Sequence, residues 1–170
     1  MICPNCNHNN LPGSEACAEC SQDLTQLDKP MAQDRVEKSL LEDNIGGMCK
    51  RDPITTLGTT KVRDAIQTML TQNIGALLVI DADAKLIGIF SERDLLAKVA
   101  HETEPPLDHP VSEFMTANPE TVSGEHKLAF VLHQMDVGGY RHVPVVEDDK
   151  PIGVVSVRDM LHHLTALCRN

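Results

Sequence analysis

The sequence predicts a mixed α/β (α+β) protein: two copies of one βαββα unit packed about a pseudo-two-fold axis, behind a small cysteine-rich knuckle. Three observations carry this expectation. Residues 48–101 and 115–169 can be laid over each other with few gaps. In each copy the apolar pattern switches between helical and strand spacing in the same order. Four of the six cysteines stand as two tight pairs within the first 20 residues.

Taken from the front, Cys3-Pro4-Asn5-Cys6 and Cys17-Ala18-Glu19-Cys20 are separated by ten residues. Two sulfurs three positions apart grip one ion from a single turn, and two such turns complete a tetrahedron. That geometry suits a closed, structural four-thiolate Zn²⁺ site held by Cys3, Cys6, Cys17 and Cys20. A knuckle with so little apolar content needs the metal for its folding energy. Pro4 stiffens the first turn, and Pro12-Gly13 turns the chain back between the pairs. Asn7 and Ser21 follow the two pairs, where a left-handed backbone is wanted; Asn tolerates it. The pattern resembles the short zinc ribbons of bacterial N-termini, with rubredoxin-like iron and two redox dithiols as the other readings. Residues 1–28 hold no Lys or Arg but do hold Glu15, Glu19, Asp23 and Asp28. A structural or protein-docking knob is therefore expected, not a nucleic-acid reader.

The ribbon is assigned to residues 1–24, and 25–44 to a linker and short helix. The linker is polar from Thr25 to about Asp34 and interrupted by Pro30; Val36, Leu40 and Leu41 then give Gln33 to Asp43 a helical pattern. The repeats follow over 45–105 and 106–170. Pro53 pairs with Pro119, Thr55 with Thr121, Gly58 with Gly124, Lys61 with Lys127 and Met69 with Met135. After one residue fewer in the second turn, Ser91, Arg93 and Asp94 fall on Ser156, Arg158 and Asp159. Each copy opens with an extended piece, Pro53 to Thr56 or Pro119 to Val122. A helix follows, with Val62, Ala65, Ile66, Met69 and Leu70 on one face, or Leu128, Val131, Leu132 and Met135. Strands Leu77 to Ile80 and Val143 to Val146 lead through acidic hairpin turns to Ile87 to Phe90 and Ile152 to Val155, then to a last helix.

Composition narrows the function. Hydrophobic residues make up 41% of the 170, enough for a core, but Phe90, Phe114, Phe130 and Tyr140 are the whole aromatic set. A bound base would lie between aliphatic side chains. A net charge of −10 repels phosphate backbones. The longest apolar run, Ile74 to Ile80, is seven residues, against the roughly 20 of a membrane span. With no signal peptide pattern at Met1-Ile2-Cys3-Pro4, a cytoplasmic protein is expected. Cys49 and Cys168 read as buried or idle thiols, and His162-His163 as surface residues.

The strand-to-helix junctions read Gly88-Ile89-Phe90-Ser91-Glu92-Arg93-Asp94 and Gly153-Val154-Val155-Ser156-Val157-Arg158-Asp159. Ser with Asp three residues on is close to a capping box, which explains them as well-capped helices. A helix N-terminus also suits a phosphate. An acceptor-only carboxylate suits a ribose diol, whose two hydroxyls both donate. Gly88 and Gly153 would leave the strand backbone open to close approach. The same polar pair in both copies points to two nucleoside sites.

From about Ile45 to Cys168 the chain resembles a tandem pair of CBS domains, the module named after cystathionine β-synthase. The residues that carry the resemblance are Asn73 to Ile80, Gly139-Tyr140-Arg141-His142-Val143-Pro144-Val145-Val146, the two Gly-x-x-Ser-x-x-Asp junctions and Val111 to Thr116. It implies adenine ligands such as AMP, ADP or ATP between two sheets. By position, Asp94 and Asp159 would take ribose, and Ser91 and Ser156 phosphate. Thr55, Thr121 and Val122 would line the opening strands, Val143 and Pro144 would flank the base, and Arg141-His142 would reach phosphate. In the first copy Gly75-Ala76 replaces Arg-His and Leu78 replaces Pro144, so the second site is the better formed. No nucleophile with a base and orienting group is present, so no enzyme is expected. The leading reading is a regulatory module signalling to an effector protein. A structural adaptor, in which the pair dimerises and the ribbon docks, and a redox or metal sensor stay open. The resemblance also implies a homodimer, with Leu128, Val131, Leu132 and Met135 offering the contact.

Overall fold

The computed structural model describes residues 1–11, 13–25, 34–49 and 52–168. Pro12, the linker around Pro30 and Gln33 lie outside the described residues. The chain divides into two compact units, Met1–Asp34 and Arg35–Asn170.

The first unit is two copies of one knuckle, 14 residues apart. Cys3 N–H donates to His8 O as Cys17 N–H donates to Gln22 O, and Asn7 and Ser21 N–H close the turns on Cys3 O and Cys17 O. Asn7 (φ 59) and Ser21 (φ 58) both adopt the left-handed backbone. Isolated bridges Ile2–Asn9 and Ala16–Asp23 flank them. Leu24 is fully buried beside Cys3 and Cys17.

The second unit opens with helix α1 (Arg35–Glu42). The first repeat supplies β1 (Thr55–Leu57), α2 (Val62–Gln72), β2 (Ala76–Ile80) and β3 (Leu86–Ser91). A short α3 (Glu92–Asp94) runs on as the π-helical turn Leu95–Val99. The second supplies β4 (Thr116–Ala117), β5 (Val122–Ser123), α4 (Leu128–Gly138), β6 (His142–Glu147), β7 (Lys150–Ser156) and α5 (Val157–Cys168). One sheet has the order β1-β2-β3-β4, the other β5-β6-β7. In each the opening strand is parallel to the next, which a helical crossover permits, and the hairpin that follows is antiparallel.

α2 buries Val62, Ala65 and Met69 and half-buries Ile66, but Leu70, expected on that face, is 70% exposed. α4 turns Leu128, Val131 and Met135 into its own core, with Leu132 partly buried against them. These residues are therefore not available as a dimer contact. Asn73 (φ 53) and Gly139 (φ 64) end the two helices in left-handed caps.

The repeats exchange their openings. Ile45 belongs to the core of Val122, Leu128, Val143 and Met160, in the second repeat. Val111, its counterpart, belongs to the core of Val62, Leu77, Val79 and Phe90, in the first. Ile45 N–H donates to His126 O and Gly46 N–H to Gly124 O; Val111 N–H donates to Thr60 O and Ser112 N–H to Gly58 O. Helix starts are satisfied the same way. Lys61 and Lys127, at the N-cap positions, make no side-chain cap bond to their own helices. Instead Val62 N–H reaches His109 O, and Leu128 N–H reaches Asp43 O. β4 is a second-repeat strand added to the first sheet beside β3. The close approach to Gly88 and Gly153 is likewise internal: a Cβ there would collide with Met115 and Cys49, one residue from each exchanged opening. The sheets meet where Ala76, Leu78 and Ile89 pack with Val154.

Candidate functional site

Four sulfurs converge in the first unit. Cys3 Sγ lies 3.6 Å from Cys20 Sγ and Cys6 Sγ 3.5 Å from Cys17 Sγ. All four fall within 4.8 Å of one another. A disulfide needs about 2.05 Å, whereas thiolates 2.3 Å from a tetrahedral ion stand about 3.8 Å apart. Asn5 and Asn10 direct side-chain N–H groups at Cys20 and Cys17. Desolvation opposes ionisation of Cys17, but N–H groups of Cys20, Glu19 and Asn10 pull its thiol down to about 6. His8 pulls Cys6 down, yet desolvation and the other three sulfurs push it up to about 12. Four thiolates this close need a cation, and the set fits one tetrahedral thiophilic ion.

The junctions form the second candidate. Both make the capping box: Ser91 N–H and Oγ–H donate to Asp94 Oδ2, and Ser156 N–H and Oγ–H to Asp159 Oδ2. There the likeness ends. Asp94 is buried, 6% exposed, and its Oδ1 accepts from Lys98 Nζ at 2.7 Å and Thr116 Oγ1 at 2.9 Å. Burial alone would raise its carboxyl; the bonds from Lys98, Ser91 and Thr116 outweigh that and hold it low. Asp159 is exposed, and its Oδ1 has no protein partner among the described residues.

Cys49 lies beside Asp159: burial, then the Asp159 charge, push its thiol up. Thr55 pairs with Leu78 in β1, and Pro144 with Val154 at the contact between sheets. Thr121, Val122 and Val143 line a hollow of about 90 Å³ with His126, Phe130 and Tyr140, and neither Ser156 nor Asp159 borders it. Thr121 also borders a shallower hollow of about 330 Å³ with Lys85, Asn118 and Asp149.

Arg141 is exposed, whereas His142 is half-buried against the first repeat. A Cβ on Gly75 would stand 3.1 Å from His142 Nε2. Gly75 is the counterpart of Arg141, so the missing Arg of the first repeat is the room His142 of the second requires. Burial lowers the His142 pKa, and attraction from Glu92 and Asp159 only partly restores it. The reading of His162-His163 as surface residues holds for His162 but not for His163, which is half-buried with Nε2 2.7 Å from Ser39 Oγ. The sequence reading missed Lys98 and Thr116; Cys49, read as a buried or idle thiol, is half-buried, whereas Cys168 is exposed. The i, i+4 spacing of Asp94 and Lys98 was the available signal for the first.

The CBS domain family model matches residues 45–101 and 111–166, about two thirds of the chain. An uncharacterized 17.7 kDa protein of Acidianus ambivalens is 30% identical over 121 residues, 65% of this chain and 72% of that one. The CBS domain-containing protein CBSCBSPB1 of Arabidopsis thaliana is 31% identical over 113 residues, and the chain spans only 21% of its length. Among solved structures, the CBS-domain protein ATU1752 of Agrobacterium tumefaciens matches with TM-score 0.66 and 31% identity over 71% of this chain and 98% of that one. The CBS domain protein PAE2072 of Pyrobaculum aerophilum, solved complexed with AMP, matches with TM-score 0.64 and 25% identity over 72% and 98%. With both repeats matched in sequence and in fold, the chain belongs to the CBS domain family as a tandem pair.

Proposed function

We propose that the pair is a non-catalytic regulatory module that takes an adenine nucleotide at the Ser156–Asp159 junction and passes its occupancy to a partner protein. The observation that carries this is the open Oδ1 of Asp159, an exposed acceptor with the capacity for a ribose diol. The AMP complex of the Pyrobaculum relative supports the ligand class. CBS-domain proteins are in general non-catalytic regulatory modules, which supports the rest. The start of α5 faces the phosphate, with Ser156 and Arg141 beside it, His142 supplying a neutral N–H and Pro144 the wall, while Val143 lines the separate hollow.

In the same reading Cys3, Cys6, Cys17 and Cys20 hold one zinc ion, which fixes the knuckle and does no chemistry of its own. Four unbridged thiols suit a reducing compartment and so a cytoplasmic setting. No helix among the described residues is long and apolar enough to cross a membrane. A homodimer is proposed as well, its contact drawn from side chains that are exposed, such as Val137 at 73% and Leu161 at 57%.

A thermal-shift panel of AMP, ADP, ATP, NADH, S-adenosylmethionine and GTP on zinc-loaded protein tests the nucleotide. A ligand at 100 times its Kd adds about 2.7 kcal/mol, and adenine compounds alone should do so. Asp159→Asn should weaken binding roughly ten- to a hundredfold, since hydrogen bonds to a charged group are worth about 1.5–3 kcal/mol. A flat panel, or an unaffected variant, would leave the structural adaptor as the better reading. For the knuckle, metal analysis should find one zinc per chain, lost in Cys17→Ser.

A further inference from the structure

A carboxylate has about four lone-pair positions. Asp94 uses four of them, on Ser91 N–H, Ser91 Oγ, Lys98 Nζ and Thr116 Oγ1. Among the described residues Asp159 uses two, on Ser156 N–H and Oγ. The capping boxes are the same; the two further bonds to Asp94 come from Lys98, one turn further along the helix, and from Thr116 in the exchanged opening, whose counterpart Lys50 lies outside the described residues. Lys98 lies four residues after Asp94, and its counterpart four residues after Asp159 is His163.

Lys98 Nζ does more than pair with Asp94. It donates to Phe114 O at 2.9 Å and Met115 O at 3.1 Å, and so is pinned to the exchanged opening. His163 is turned the other way, onto α1. Its Nε2 meets Ser39 Oγ, and Ser39, only 5% exposed, donates its hydroxyl proton to Asp43 Oδ2. With that proton spent, Nε2 is the donor and Ser39 Oγ the acceptor. Asp43 Oδ2 lies 3.9 Å from Nε2.

We infer that the residue one turn beyond each junction aspartate decides whether that junction takes a ligand. Lys98 closes the first, and Ser39, by capturing His163, keeps the second open. The inference rests on the nucleotide reading of the second junction and adds that the chain takes one nucleotide, with α1 as guardian of the site.

Two measurements separate the gate from the nucleotide reading. Carboxyl titration by carbon NMR needs no ligand. Asp94 should titrate below the ordinary carboxylate value, and Lys98→Met should release it upward; His163→Lys should draw Asp159 down from wherever the wild type places it. Calorimetry with AMP should give one site per chain, at least tenfold weaker in His163→Lys and unaltered within twofold in Asp94→Asn. An Asp159 unmoved by His163→Lys, or two equal AMP sites in the wild type, overturns the gate. If the wild type binds no AMP, the nucleotide reading falls, and the titration still decides whether position 163 controls the Asp159 carboxylate. Circular dichroism of His163→Lys guards against misfolding; Ser39→Ala, which frees His163 without adding charge, should weaken AMP severalfold.

Discussion

At Gly75 the two repeats meet over a missing methyl group. The edge of the His142 imidazole stands 3.1 Å from where a Gly75 side chain would begin, too tight a contact unless the ring gives. Gly75→Ala should therefore destabilise the protein by about 1–3 kcal/mol, the usual cost of overpacking a filled contact, and chemical denaturation of the variant measures it. The same burial sets a pH dependence. Because the folded pKa of His142 lies below its ordinary 6.5, the unfolded chain binds its proton more readily. This contribution is intact above 6.5 and is lost as pH falls from there through the folded value. Melting followed between pH 7.5 and 5 should show that slope, and His142→Asn should flatten it. Asp94 acts lower down. Its folded pKa lies below the ordinary 3.8, so its contribution is present above that value and disappears as pH falls through the folded one. Asp94→Asn should remove that acid sensitivity and lower stability at neutral pH.

At the scale of elements, the knuckles hold two non-glycine residues in the left-handed region, Asn7 and Ser21. An L-residue there costs about 1–2 kcal/mol, and Asn eases it with its short amide. Ser21→Gly should tighten metal binding, while Asn7→Gly should change it less; competition with a zinc chelator reads both. The six main strands and the three long helices α2, α4 and α5 were legible because their apolar periods are clean, as in Val62, Ala65 and Met69. Other features were not. Ile45 and Val111 occupy equivalent positions in near-identical surroundings, so sequence fits them equally well to their own core or the other. The exchange of openings, and with it β4 and the partners of Gly88 and Gly153, follows from chain path and not from pattern. The junction serines and aspartates were legible as a pair, but their inequality depended on where Lys98 and His163 turn, which is a matter of neighbours distant in sequence.

For the whole molecule, the exchange makes each core incomplete without the other's chain. A fragment ending at residue 105 lacks Val111, which is fully buried in the first core. Burying such a side chain is worth about 1.5–3 kcal/mol, before the helix-start hydrogen bond from Val62 to His109 is counted. Such a fragment should be unfolded or self-associated, and one extended through β4 should be monomeric with a cooperative transition. Sedimentation and heat-induced unfolding of the two fragments check this.

α1 and residues 43–49 pack on the second repeat, and so does α5. Both ends of the Arg35–Cys168 body are thus moored to one core, with the other inserted as a loop between them. Under tension applied at those ends, load passes through the second core first, while the inserted one stays shielded until its neighbour has given way. A mechanical experiment on this protein should accordingly record the second repeat rupturing before the first, whatever their relative thermal stabilities.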